Sequence, residues 1–268
     1  MMKKFRTVEI SDPRFETNYL RFITVKSNHL QGRGDICVFV PPNLDPAKPC
    51  PVVILLHGVY GSAWSWAYKT GVHIQVLRMI QNKELPEMII AMPSDGLWGD
   101  GSGYLAHHNQ DFEKWVAEDV PELLQQYIDG VTEGSAFFIS GLSMGGFGAL
   151  RIGVKYHQKF KAVSGHSSIT NLQQMKLFVE EDLKEYKQPD PSDEDVFETI
   201  VQHREHLPPI YFDCGNEDLL IAANRDLDFK LTEAKIKHVY KEYPGAHEWA
   251  YWEKHIKTSL LFFAEILK

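Results

Sequence analysis

A serine between glycines, an aspartate leaving a strand and a histidine after a proline-glycine turn could together carry out nucleophilic acyl transfer. The serine is Ser143 in Gly141-Leu142-Ser143-Met144-Gly145-Gly146, between the apolar run Phe137-Phe138-Ile139-Ser140 and Phe147-Gly148-Ala149-Leu150. That order reads as strand, sharp turn and helix, with glycines where a Cβ would clash and the hydroxyl projecting from the carboxyl edge of a sheet. A serine hydroxyl is a weak nucleophile at neutral pH, so it needs a base within hydrogen-bond reach and a third group to orient that base. Downstream, the apolar strand Ile210-Tyr211-Phe212-Asp213-Cys214 has a polar exit, Gly215-Asn216-Glu217-Asp218, that carries Asp218. A further strand, His238 to Tyr243, is broken by Pro244-Gly245 and delivers His247 to the same edge.

Each assignment has a rival. Asp213 lies nearer the middle of its strand, where a carboxylate more often braces a neighbouring loop. Glu217 is adjacent to Asp218 and chemically capable, so Asp218 is preferred without closing that alternative. Asp226 and Asp228 fall within a run from Asn224 to Lys237 that reads as a solvated helix. Of twelve histidines, only His247 follows a strand and a turn after Asp218; His255 belongs to a terminal helix. His203 and His206 could share a helix face, but no third ligand accompanies them, so no metal site is expected.

Acyl transfer also needs donors aimed at the developing oxyanion. The amide of Met144, at the start of the helix after the serine, can supply one. The run Pro51-Val52-Val53-Ile54-Leu55-Leu56 suits a parallel strand buried on both faces, and His57-Gly58-Val59-Tyr60-Gly61 follows it. The Val59 amide is the second candidate donor, with Gly58 beside it. His57 is expected to brace this loop.

Taken together, His57-Gly58 with Gly61, the run 141–146, Asp213-Cys214-Gly215 with Asp218, and Pro244-Gly245-Ala246-His247-Glu248-Trp249 resemble the putative-esterase family of α/β-hydrolases. That family includes tributyrin esterases, esterase D or S-formylglutathione hydrolase, and the acetyl-xylan and feruloyl esterases of carbohydrate esterase family one. The resemblance covers the chain from about Val52 onward. It implies Ser143 as nucleophile, Asp218 as orienting acid, His247 as base, and the Val59 and Met144 amides as the oxyanion hole. The tributyrin-esterase branch looks closest, because the oxyanion loop is His-Gly rather than the Ser-Gly-Leu-Thr-Cys of esterase D. The expected activity is that of a serine carboxylesterase for short acyl esters, working through an acyl-enzyme without a cofactor. A thioesterase of the S-formylglutathione hydrolase kind, an acyltransferase and a non-catalytic binding protein on a hydrolase fold are the alternatives.

The elements that must position these residues are those of an α/β-hydrolase fold: a mostly parallel sheet, antiparallel strands at the amino end, and helices on both faces. Residues 5–41 alternate apolar and polar around Ser11-Asp12-Pro13 and Gln31-Gly32-Arg33-Gly34, which suits antiparallel strands. Parallel strands are expected near Val52, at Met88 to Met92, Ala136 to Ser140, Ala162 to Gly165, Ile210 to Asp213 and His238 to Tyr243. Phe112, Trp115, Val116, Val120, Leu123, Leu124 and Tyr127 recur at helical spacing, and Pro121 should kink that helix or start a second segment. Residues 166–207, within a single domain spanning 1–268, could form a small cap whose Leu177 and Phe178 narrow the acyl pocket, or a helix packed on the sheet, which would show the same pattern. Trp98, in a glycine-rich loop after a strand, could line the leaving-group side or anchor that loop, and Trp249 could pack under His247.

With 44% hydrophobic residues the chain can bury one large core, and its formal net charge of −8 without a basic stripe argues against a nucleic-acid surface. Met1 to Thr7 begin with charge but lack an apolar core, and no apolar run reaches membrane-spanning length, so the expectation is a cytoplasmic enzyme with no membrane partner. Cys37, Cys50 and Cys214 lack metal-type spacing and are expected reduced. The expected partner is a small-molecule acyl ester; a homo-oligomer stays open.

Overall fold

The computed structural model describes Phe5 and residues 7–268. Most of Met1 to Thr7, read above as no leader, lies outside the described residues. Nine strands form one sheet in the order β1 (Val8–Ile10), β2 (Leu20–Ser27), β3 (Gly32–Phe39), β5 (Ile89–Pro93), β4 (Val52–Leu56), β8 (Phe137–Leu142), β9 (Phe160–His166), β10 (Ile210–Gly215) and β11 (Val239–Tyr243). The pairs from β1 to β5 are antiparallel, and every pair from β5 through β4 and β8 to β11 is parallel. A small hairpin, β6 (Ala106–His107) with β7 (Gln110–Asp111), stands apart. The helices are α1 (Ser65–Thr70), α2 (Val72–Gln81), α3 (Phe112–Lys114), α4 (Val120–Tyr127), α5 (Met144–Lys155), α6 (Val196–Gln202), α7 (Ile221–Glu233) and α8 (Trp249–Ile266).

Burial follows strand position. All five residues of β4 are buried, whereas β2, paired antiparallel nearer the edge, alternates between buried and exposed. Successive residues of β4 serve opposite faces: Val52, Ile54 and Leu56 join the layer containing Trp115, Phe147 and Leu227, while Val53 and Leu55 join the one containing Val76, Trp252 and Phe263. The two faces are thus covered by different helices, as a mostly parallel sheet requires.

The helical run after β7 is divided as Pro121 demands, though the interruption comes earlier than the proline. A π turn spans Trp115–Asp119 between α3 and α4, and Pro121 stands in the first turn of α4. The carbonyl of Ala117, which an ordinary amide at position 121 would have engaged, accepts instead from the Lys159 ammonium at 3.0 Å. The connection between β9 and β10 is built from short 3-10 turns, Leu172–Leu177, Leu183–Tyr186 and Pro191–Glu194, followed by α6. Asn171, Asp182 and Asp190 accept the amides of Gln173, Lys184 and Ser192, so each turn starts on a local side-chain cap.

The close fit of α5 on the sheet is a steric requirement of the turn that carries Ser143. A Cβ on Gly145 would be driven into the carbonyl oxygens of Leu56 and His57, both backbone atoms that cannot swing away. Gly145→Ala is therefore expected to lower stability by at least about 1–3 kcal/mol, the cost of overpacking a rigid site. Urea unfolding would read this as a lower midpoint; a midpoint equal to wild type would contradict the steric account.

Candidate active site

Ser143 lies between β8 and α5 with φ of 54° and ψ of −120°, a conformation that side chains other than glycine rarely adopt. Neighbouring backbone holds it there. Its amide donates to the His166 carbonyl at 2.9 Å, and its carbonyl accepts from Phe147 at 3.1 Å and Ile169 at 3.2 Å. Strain of this kind persists only where surrounding contacts over-determine the backbone.

The exits of β10 and β11 bring Asp218 and His247 to this serine. Asp218 follows β10, and its Oδ1 accepts from the Leu220 amide at 2.8 Å. His247 Nδ1 lies 3.0 and 2.9 Å from the two Asp218 oxygens, and its Nε2 lies 3.0 Å from Ser143 Oγ. An ionised carboxylate only accepts, so Nδ1 carries the proton and Nε2 is left to accept from the serine hydroxyl. Burial disfavours the charge on Asp218, but the hydrogen bond and charge of His247 and the Leu220 amide outweigh it and hold the carboxyl below its ordinary value.

Asp213, the rival acid, is committed elsewhere. The β9–β10 register sets it opposite His166, whose Nδ1 lies 3.0 Å from both its oxygens. Tyr211 and Tyr251 donate to the same carboxylate at 2.9 and 2.8 Å, and His166 Nε2 is 2.8 Å from Ser259 Oγ. This second, fully buried relay ties β9, β10 and α8 together behind the serine; the sequence reading missed it, because it depends on the β9–β10 register that sets Asp213, within β10, opposite His166 at the end of β9. Glu217 is exposed, and its amide donates to the Gly245 carbonyl at 3.0 Å.

Gly58 packs against Ser143, where an added Cβ would meet that of the serine at 3.3 Å. Among the described residues, the amides of Val59 and Met144 donate to no protein acceptor, which leaves both available beside the serine. His57 braces their loop. Its Nε2 accepts the Asp95 amide at 3.1 Å, which places the ring proton on Nδ1, 2.7 Å from the Gly58 carbonyl that accepts it. The Asp95 carboxylate in turn accepts the amides of Leu97 at 2.9 Å and Ser102 at 2.7 Å.

The aromatic candidates separate. Phe178 stacks on His247 with ring centroids 5.2 Å apart, whereas Leu177 is 62% exposed. Trp252, which sequence reasoning passed over, also meets His247, edge-on at 5.0 Å, while Trp249 packs one step further back against Trp252 and Trp66. Trp98 is wedged among His107, His108 and Tyr186 and anchors its loop. Cys37, Cys50 and Cys214 are buried free thiols, and burial pushes the first two up to about 12 and the third higher still. Among the described residues no cluster of three or more His, Cys, Asp or Glu could hold a metal ion, and no helix is long and apolar enough to cross a membrane.

A strained serine at a strand-helix turn, a mostly parallel sheet and helices on both faces define an α/β-hydrolase fold. Residues 27–263 match the putative-esterase family, and the chain belongs to it: it is a hydrolase that acts on esters. An acetyl esterase of Caldicellulosiruptor saccharolyticus is 28% identical over 230 residues, covering 79% of this chain and 82% of that protein. An S-formylglutathione hydrolase of Bos taurus is 26% identical over 158 residues, 54% of this chain and 55% of its own length. A ferulic acid esterase structure aligns with a TM-score of 0.80 at 21% identity, covering 97% of this chain and 99% of its own. An S-formylglutathione hydrolase of Staphylococcus aureus aligns at 0.78 and 18%, covering 96% and 99%; these two likenesses show a shared fold.

The depressed Asp218 carboxyl makes stability depend on pH. Because its folded-state value lies below the unfolded one, its contribution is complete above the unfolded value of about 4 and is lost as pH falls through the folded value. Asp218→Asn should cost about 2 kcal/mol at pH 7, the worth of a hydrogen bond to a charged group. That gap should shrink steadily below pH of about 4, and urea midpoints at pH 7 and pH 3 would reveal it. A gap independent of pH would contradict the assignment.

Proposed function

We propose that the protein is a serine carboxylesterase that hydrolyses short-chain acyl esters through a covalent acyl-enzyme intermediate. The observation that carries this reading is the unbroken chain from Asp218 through His247 to Ser143 Oγ, 3.0 Å at its last step, beside two unengaged amides. Ser143 Oγ attacks the ester carbonyl carbon while its proton passes to His247 Nε2. The new Oγ–C bond drives the carbonyl electrons onto oxygen, where the Val59 and Met144 amides meet the charge. Collapse breaks the bond to the leaving oxygen, which takes the proton from His247. Water then attacks the acyl-enzyme, giving its proton to the same nitrogen and releasing Ser143. Asp218 keeps the imidazole in one tautomer and balances the imidazolium that forms in each half.

Short acyl groups are supported by the similarity to an acetyl esterase and by the depth of Ser143, which is 2% exposed. Similarity to S-formylglutathione hydrolase favours a thioester as second reading, since the acyl chemistry is shared. Charge argues for esters. Slight desolvation and the carboxylates of Asp100, Glu180 and Glu181 push the Tyr60 hydroxyl up, one residue from the Val59 amide. An anionic glutathione group approaching there would be repelled.

Steady-state rates on p-nitrophenyl esters from acetate to octanoate test the reading. Turnover should favour the short chains, Ser143→Ala should lower kcat by about a million-fold, and Asp218→Ala by about ten-thousand-fold. Near-normal turnover by folded Ser143→Ala would discard the mechanism, and a preference for octanoate would discard the short-chain assignment.

A further inference from the structure

Phe178 lies against the ring of His247. Its ring lies nearly parallel to the imidazole of His247, at 27° and 5.2 Å between centroids, and Trp252 meets the same imidazole edge-on at 5.0 Å. His247 Nε2 must hand its proton to the departing oxygen, so the leaving alcohol, and afterwards water, occupies the space in front of that nitrogen. The carbonyl oxygen is turned toward the amides of Val59 and Met144. A ring laid on the imidazole face therefore borders the alcohol.

The position of Phe178 is enforced from outside its own turn. Asp100 binds the segment that carries it: the Asp100 amide donates to Glu181 Oε1 at 2.9 Å, and Asp100 Oδ2 accepts the Glu180 amide at 2.8 Å. The same residue holds the oxyanion loop, because its carbonyl accepts the Tyr60 amide at 2.8 Å and its Oδ2 lies 3.2 Å from the Tyr60 hydroxyl. Tyr186 adds a hydrogen bond to the Gly101 carbonyl at 2.9 Å, and Glu185 pairs with His108 at 2.7 Å. One loop, 96–104, thus fixes both the oxyanion side and the ring over the base.

Resting on the serine-esterase reading above, we propose that Phe178 is a specificity-determining residue for the leaving alcohol, held in place by Asp100 as a positioning residue. The enzyme selects esters of slender alcohols, and the breadth of the alcohol is set by the gap between Phe178 and Ser143. The acyl chain is selected elsewhere. With Ser143 2% exposed, a bulky alcohol in front of His247 meets this ring.

Two substrate series separate the sides. Acetates of ethanol, isobutanol and cyclohexanol vary only the alcohol; p-nitrophenyl acetate, butyrate and octanoate vary only the acyl group. Because kcat/KM reports the steps through acylation, slow deacylation cannot mask the comparison. In Phe178→Ala the cyclohexyl-to-ethyl ratio of kcat/KM should rise about tenfold or more, the scale set by a few methylenes in a fitted site. The octanoate-to-acetate ratio should stay within about twofold, since the acyl side is untouched. Asp100→Ala, which leaves the ring intact and keeps the backbone bond to Tyr60, should shift the alcohol ratio the same way, and Asp100→Asn less. A change confined to the acyl series would overturn the proposal, as would an equal loss on every ester in both variants. Stoichiometric labelling of Ser143 by a fluorophosphonate distinguishes the failures: labelled enzyme with unmoved ratios refutes only the role of Phe178, whereas unlabelled, inactive wild type removes the esterase mechanism and the proposal with it.

Discussion

The turn at Ser143 imposes its geometry on everything around it. A residue with a side chain is held at φ of 54° between a central strand and the helix that follows, at a cost of order 1–3 kcal/mol. That cost is sustained because β4 supplies carbonyls against which α5 lies almost in backbone contact, and because the ends of β9 and its following loop hydrogen-bond the serine on both sides. The glycines after the serine, the burial of β4 on both faces and the crossing of α5 over the sheet are consequences of this single constraint. A looser helix would let the turn relax, and the hydroxyl would swing away from His247.

Behind the turn, two carboxylate-histidine pairs on neighbouring strand ends divide the work. The Asp213–His166 pair is sealed, with both side chains without exposure and every polar edge engaged by Tyr211, Tyr251 and Ser259. It acts as a polar rivet, since leaving any member unpaired in that interior would cost the desolvation of a charged group. The Asp218–His247 pair has the same chemistry with one edge open, where the imidazole nitrogen reaches the serine. Position along the strand decides which is structural and which is poised to react: Asp213 sits within β10, Asp218 three residues beyond its end.

In front of the turn, polar clamps take over from hydrophobic packing. Asp95 and Asp100 gather amides from their own loop, from the 57–61 loop and from the turns between β9 and β10, and His57 joins two of these segments through its ring. Such clamps hold irregular backbone that has no ladder to satisfy its donors. They also make the ring over His247 and the amides before Ser143 parts of one assembly.

Much of this was legible in the residues. The alternation of apolar runs with Gly, Pro and Asp exits placed the six parallel strands within a few positions, because burial on both faces writes a continuous apolar run and a turn writes its own residue types. The order of Ser143, Asp218 and His247, and the bracing role of His57, followed from the same local signals. The pairing of Asp213 with His166, the contact of Trp252 rather than Trp249 with His247, and the stacking of Phe178 on His247 did not. Each depends on register or docking between segments far apart in the chain: the β9–β10 pairing that sets Asp213 against His166, the rotation of α8 against the sheet, and the clamp by Asp100 across some eighty residues. Sequence determines what a segment can form, because neighbouring residues share dihedral and burial preferences; only the folded chain decides which distant groups meet, because that depends on how whole elements pack.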